Sequence, residues 1–110
     1  MRKTTTLLIA AAMGVLGAGQ AAAADRLSDV AYLSAMRCRG LAEARQIDAG
    51  SLDAMLKVQK RQRATYIAER GSELRRVGVR DGRSADLSRK ARVDTELSGA
   101  CQAYLSGAPV

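Results

Sequence analysis

The first twenty-four residues constrain the rest of the chain most. Arg2 and Lys3 give a short positive start, Leu7 to Ala18 is an uncharged apolar run, and Ala22-Ala23-Ala24 puts small residues just before Asp25. That order is the pattern of a secretory signal peptide, removed on export. Its expected destination is the periplasm of a Gram-negative bacterium or the medium outside, where thiols oxidise. An uncleaved leader acting as a membrane tether is the rival reading. The apolar run is short for a spanning helix, and no second hydrophobic segment follows, so no transmembrane segment is expected in the mature chain. No cysteine stands at the new N-terminus to carry a lipid.

Removing 24 of the 110 residues leaves 86, enough for one domain, expected over 25–106 with a flexible tail at 107–110. The chain has three Tyr and neither Phe nor Trp. A core of Leu, Val, Ile, Met and Ala buries less area per residue than an aromatic one, so a small domain of this kind benefits from a staple. Cys38 and Cys101 can supply it, closing a loop of 63 residues. The chain-entropy gain is about 4 kcal/mol, comparable with the whole net stability of a small domain. Two unpaired thiols would instead require a reducing compartment.

Hydrophobic spacing predicts three helices, at about 26–44, 51–77 and 84–106. In the first, Leu27, Val30, Ala31, Cys38, Leu41 and Ala42 recur on one face. Tyr32, Leu33 and Met36 fall on the other, so either the bundle wraps this helix from two directions or those three form an exposed patch. Ser51 is a candidate N-cap for the second helix, with Asp53 in its first turn. Leu52, Met55, Leu56, Tyr66, Ile67, Leu74 and Val77 hold its apolar face, and Gly71-Ser72 marks a bend or weak point. Asp81-Gly82 signals a turn, and Ser84 can cap the third helix. Leu87, Ala91, Leu97, Cys101, Tyr104 and Leu105 form that helix's apolar side. The fold class expected is all-α: a small antiparallel three-helix bundle stapled by one disulfide. Helices one and three would run parallel, putting Cys38 and Cys101 at the same end.

The catalytic inventory is thin. There is no His anywhere, which removes the commonest general base and metal ligand. The two cysteines lack companion ligands for zinc and do not form a CxxC pair. No glycine-rich phosphate loop occurs, and the acidic spacing around Asp81 to Asp86 is not that of a calcium loop. The expectation is a protein that is not an enzyme and that uses no metal and no cofactor.

Charge is the functional lead. The whole-chain net charge of +7 falls to +5 once Arg2 and Lys3 leave, and such a balance favours anionic surroundings. Lys57, Lys60, Arg61 and Arg63 form a basic run, with Arg70, Arg75 and Arg76 further along. On a helix these charges spread around the circumference, unlike the segregated charge of a membrane-surface helix. Nucleic acid is disfavoured as a partner, because stacking aromatics and recognisable motifs are missing. The candidate binding surface joins Lys57, Lys60, Arg61 and Arg63 to Tyr32, Leu33 and Met36. Arg63 and Arg70 also fall on helix two's apolar face, and Asp94 on helix three's. A buried unpaired charge is costly, which predicts an ion pair of Asp94 with Arg63 or Arg70, or else a polar groove between those two helices. These features imply contact through a surface, with a protein partner (inhibitor, adaptor or chaperone type) or with anionic envelope lipid or glycan.

Overall fold

The computed structural model describes residues 26–106. The leader and the tail expected from the sequence lie outside the described residues. Within them the chain is mostly helical, with no strand: α1 is Asp29–Ala44, α2 Gly50–Lys60, α3 Thr65–Gly82, α4 Leu87–Ser98, and α5 the single turn Gln102–Leu105.

α1 starts where Ser28 Oγ accepts the Ala31 N–H at 3.1 Å, with Asp29 against the positive end of the helix dipole. It stops in a Schellman turn. The Ile47 N–H donates to Ala42 O at 2.9 Å and the Gln46 N–H to Glu43 O at 3.2 Å, with Gln46 at φ 57°. α1 is the central element. One side packs Tyr32, Ala35, Met36 and Ala42 with Leu27, Ala49, Leu52 and Leu56. Another side packs Cys38 and Leu41 with Val93 and Cys101. The bundle therefore wraps α1 from two directions, and Tyr32 and Met36 are core residues rather than an exposed patch. Leu33 is half-buried against the same cluster.

The chain runs back and forth across α1. Tyr32 lies against Gly71, Arg37 against Gly78 and Ala44 against Gly82, so α1 and α3 are parallel. α2 runs opposite to α1, since the Leu27 N–H donates to Gln59 Oε1 at 3.0 Å while Arg39 pairs with Asp53. α4 is antiparallel to α1, not parallel as expected of helices one and three, because the chain makes an extra reversal at 61–64: Arg45 pairs with Asp94 at 2.6 Å and Arg37 with Glu96 at 2.9 Å. Sulfurs of Cys38 and Cys101 stand 2.07 Å apart, a disulfide distance.

Two expected helices are each divided. The second breaks at 61–64, giving α2 and α3, and the third breaks at Gly99, giving α4 and α5. The first break contains neither Gly nor Pro; its cause is tertiary. Arg63 turns inward, with only 2% of its side chain exposed. Its guanidinium donates to Asp29 Oδ1 at 2.8 Å, to Gln59 Oε1 at 2.7 Å and to the carbonyl of Leu27, and it stands 5.1 Å from the Tyr32 ring centre. The contacts with Leu27 and Asp29, more than thirty residues earlier, tie the turn to the start of α1. Gly71-Ser72 is no weak point: Gly71 sits inside α3 because Tyr32 occupies the space its side chain would need. Caps shift as well. Ala49 and Asp86 hold the N-cap positions of α2 and α4, in place of Ser51 and Ser84. Asp86 Oδ2 accepts the Arg89 N–H at 2.9 Å. Val30 and Leu87, expected on apolar faces, are 75% and 81% exposed.

Candidate binding groove

Because α2 and α3 both pack on α1, a gap opens between them. It forms a groove of about 400 Å³ whose floor is Tyr32 and Met36 of α1 with Leu56 of α2. Lys57 and Lys60 stand on the α2 wall, and Ser72, Arg75 and Arg76 on the α3 wall. α2 descends and α3 ascends, so the turn at 61–64 brings two basic clusters far apart in sequence to face each other.

The charges of the groove are only partly balanced. Arg75 Nη2 donates to Glu43 Oε1 at 2.8 Å, and Arg39 holds Asp53 at the groove's edge. The Arg75 guanidinium also keeps the Glu43 carboxyl below the usual carboxylate range. Lys57, Lys60 and Arg76 make no side-chain hydrogen bond or ion pair among the described residues. Counting Arg39 and Glu43, the groove and its edge carry five cations against two carboxylates. Such a concave surplus attracts anions more strongly than scattered surface charge does.

The floor adds a polar atom. Tyr32 is 1% exposed, and its hydroxyl has no hydrogen-bond partner among the described residues. Among the described residues no fully buried side-chain oxygen or nitrogen is left without a partner, so this hydroxyl is not wholly enclosed, and Tyr32 lines the groove. Burial raises the Tyr32 phenol above its ordinary range while the charge of Arg63 pulls it down, and the group stays a neutral donor at physiological pH.

The groove unites part of the expected surface: Lys57, Lys60, Tyr32 and Met36. Arg61 is exposed on the turn, outside the groove lining. Arg63 is withdrawn into the Leu27, Asp29 and Gln59 cluster. The predicted pairing of Asp94 is corrected: Asp94 meets Arg45, Arg63 meets Asp29, and Arg70 meets Glu73 at 2.8 Å. Asp94 is held at α1's C-terminal end through Arg45, whereas Arg63 is held at α1's N-terminal end through Asp29. Arg75 and Arg76 were named with the basic run but, like Ser72, not placed in the candidate surface, since their position in it depends on α3 folding back beside α2. A second depression, along Tyr66, Glu69, Arg70, Glu73 and Arg76, lies on α3 alone and mixes both signs of charge.

Elsewhere, Arg37 joins three helices, reaching Asp81 of α3 at 2.9 Å and both carboxylate oxygens of Glu96 of α4 at 2.9 Å. The Glu96 hydrogen bond, then that of Asp81, raises the Arg37 guanidinium further above its ordinary range against the effect of burial. Among the described residues no three His, Cys, Asp or Glu side chains group closely enough to hold a metal ion, and no helix is long and apolar enough to cross a membrane. Comparison of the chain with known protein families, with curated proteins and with solved structures finds no match.

Proposed function

We propose that this chain is a small exported helical protein of the periplasm, not an enzyme, that acts as a protein-interaction module of the inhibitor, adaptor or chaperone type. The N-terminal twenty-four residues supply export and are removed. Cys38 and Cys101 then oxidise and staple α1 to the turn between α4 and α5. The observation that carries the reading is the groove between α2 and α3, where an apolar floor lies between two basic walls. Interaction sites of proteins commonly combine an apolar centre with charged surroundings in this way.

A second reading, electrostatic attachment to anionic envelope lipid or glycan, is favoured by the unpaired exposed cations Lys57, Lys60 and Arg61. Salt separates the two, because attachment by exposed charge weakens steeply once the Debye length shrinks to about 10 Å at 0.1 M. The test is cross-linking in intact envelopes followed by reconstitution with the purified candidate. A single protein retained at moderate salt, and lost on Lys57→Gln with Lys60→Gln, supports the module. Binding to any anionic surface that disappears at moderate salt favours attachment.

A further inference from the structure

Deepening the reading just given, we infer that the groove between α2 and α3 is a subsite for a glutamate side chain projecting from an acidic segment of the partner. The carboxylate would accept the Tyr32 hydroxyl at the floor and lie between the cations of the two walls. Three independent features lead to this ligand.

The first is the unused donor. A tyrosine hydroxyl in a residue this buried normally finds an acceptor. Here the described residues provide none, the oxygen is not wholly enclosed, and Tyr32 lines the groove. The neighbours on both walls are cations, so the acceptor of matching charge is an oxyanion. The second is the charge surplus. Three more cations than carboxylates surround the groove, which calls for further acidic residues flanking the one that enters. The third is the apolar part of the floor. Met36 and Leu56 are apolar and can cover a short aliphatic stem. Glutamate offers two methylenes ending in a carboxylate. Aspartate is shorter, and free phosphate has no stem to cover.

Depth favours a projecting side chain over a bilayer. A layer of lipid headgroups meets the rim lysines first, whereas the floor hydroxyl belongs to a side chain at 1% exposure. Phenylalanine at position 32 keeps the ring that fills the space over Gly71 and removes only the donor.

The experiment uses oxidised protein expressed with its own N-terminal segment, titrated calorimetrically with synthetic hexaglutamate at fixed salt. Hexaaspartate, inorganic phosphate and phosphatidylglycerol vesicles are run in parallel. Hexaglutamate should bind more tightly than hexaaspartate and far more tightly than phosphate. Tyr32→Phe should weaken hexaglutamate about tenfold, as expected for loss of one hydrogen bond to a charged group, with the melting temperature unchanged. Lys60→Gln with Arg76→Gln should weaken it at least as much. Equal binding by Tyr32→Phe and the parent, or equal binding of the two peptides, overturns the assignment. So does a preference for vesicles or phosphate. Should hexaglutamate fail while a cross-linked partner is still lost on Lys57→Gln with Lys60→Gln, the glutamate subsite falls and the interaction module stands.

Discussion

Replacing Gly40 by alanine tests the packing on which the bundle rests. A Cβ at Gly40 would lie 2.0 Å from the Arg75 carbonyl oxygen and 3.0 Å from the Val79 nitrogen. The first distance is about 1.3 Å short of the separation at which C–H groups meet carbonyl oxygens between helices. Both obstacles are backbone, so no rotamer change relieves them, and α1 and α3 must move apart. Alanine gains about 1 kcal/mol over glycine from helix propensity. Overpacking costs about 1–3 kcal/mol or more, and this contact belongs at the upper end, because separation also loosens the contacts along the shared interface. The expected net loss is about 2 kcal/mol, which lowers the midpoint of a domain this size by roughly 8–16 °C. Thermal unfolding of the oxidised protein, followed by far-ultraviolet circular dichroism, measures it. Gly50→Ala is the control: its Cβ meets only Asp48 Oδ1, at 3.6 Å, and the melting point should hardly move. A Gly40→Ala protein that melts at or above the parent refutes the close approach of α1 and α3.

Three further outcomes are expected. Reducing Cys38–Cys101 should remove about 4 kcal/mol by the chain-entropy estimate, seen as a fall in the denaturant midpoint that Cys38→Ser with Cys101→Ser reproduces without reductant. Burial pushes the Asp81 carboxyl up, but the Arg37 hydrogen bond and the charges of Arg37, Arg80 and Arg89 more than reverse this and leave it depressed. Its stabilisation is therefore complete above the unfolded carboxylate pKa and lost as pH falls through the lower folded value. Asp81→Asn should cost about 1 kcal/mol at neutral pH, discounted for partial exposure, and urea unfolding across an acidic pH series should show that difference shrinking towards low pH. Gln46→Gly should raise stability by about 0.5–1 kcal/mol in the same assay, because Gln46 holds φ 57° where glycine carries no steric penalty.

Helical class and the first helix were legible because they depend on local pattern. Cys38 and Leu41 at helical spacing already describe one buried side of α1, and Tyr32 with Met36 describe another. The divisions at 61–64 and at Gly99 were harder. Arg63 in a basic run reads as a solvated charge, and its burial depends on Leu27 and Asp29, more than thirty residues earlier. Gly71 reads as a helix weak point and Gly82 as part of a turn, yet both are buried inside α3 or at its end. Composition records what a glycine costs a lone helix and is silent about the partner that moves into its place. The candidate surface was half legible for the same reason: Lys57 and Lys60 could be marked as cations, but Arg75 and Arg76 face them only after the chain reverses.

The close pair and the groove share an origin at Gly71. Without a side chain there, α3 approaches α1 until a Cβ at Gly71 would lie 2.9 Å from Tyr32 Cε2 and 3.1 Å from Met36 Cγ. The ring is thereby held across α3, with the hydroxyl 3.4 Å from that same Cβ position, at the floor of the groove. A larger residue would have to displace the ring, and with it the Tyr32 hydroxyl. Here, unlike at Gly40, the obstacles are side chains, which can yield at smaller cost. Residue 71 thus separates two properties that residue 40 does not. At Gly40 the added methyl acts on the helix spacing, and at Gly71 it acts first on where Tyr32 can place its hydroxyl.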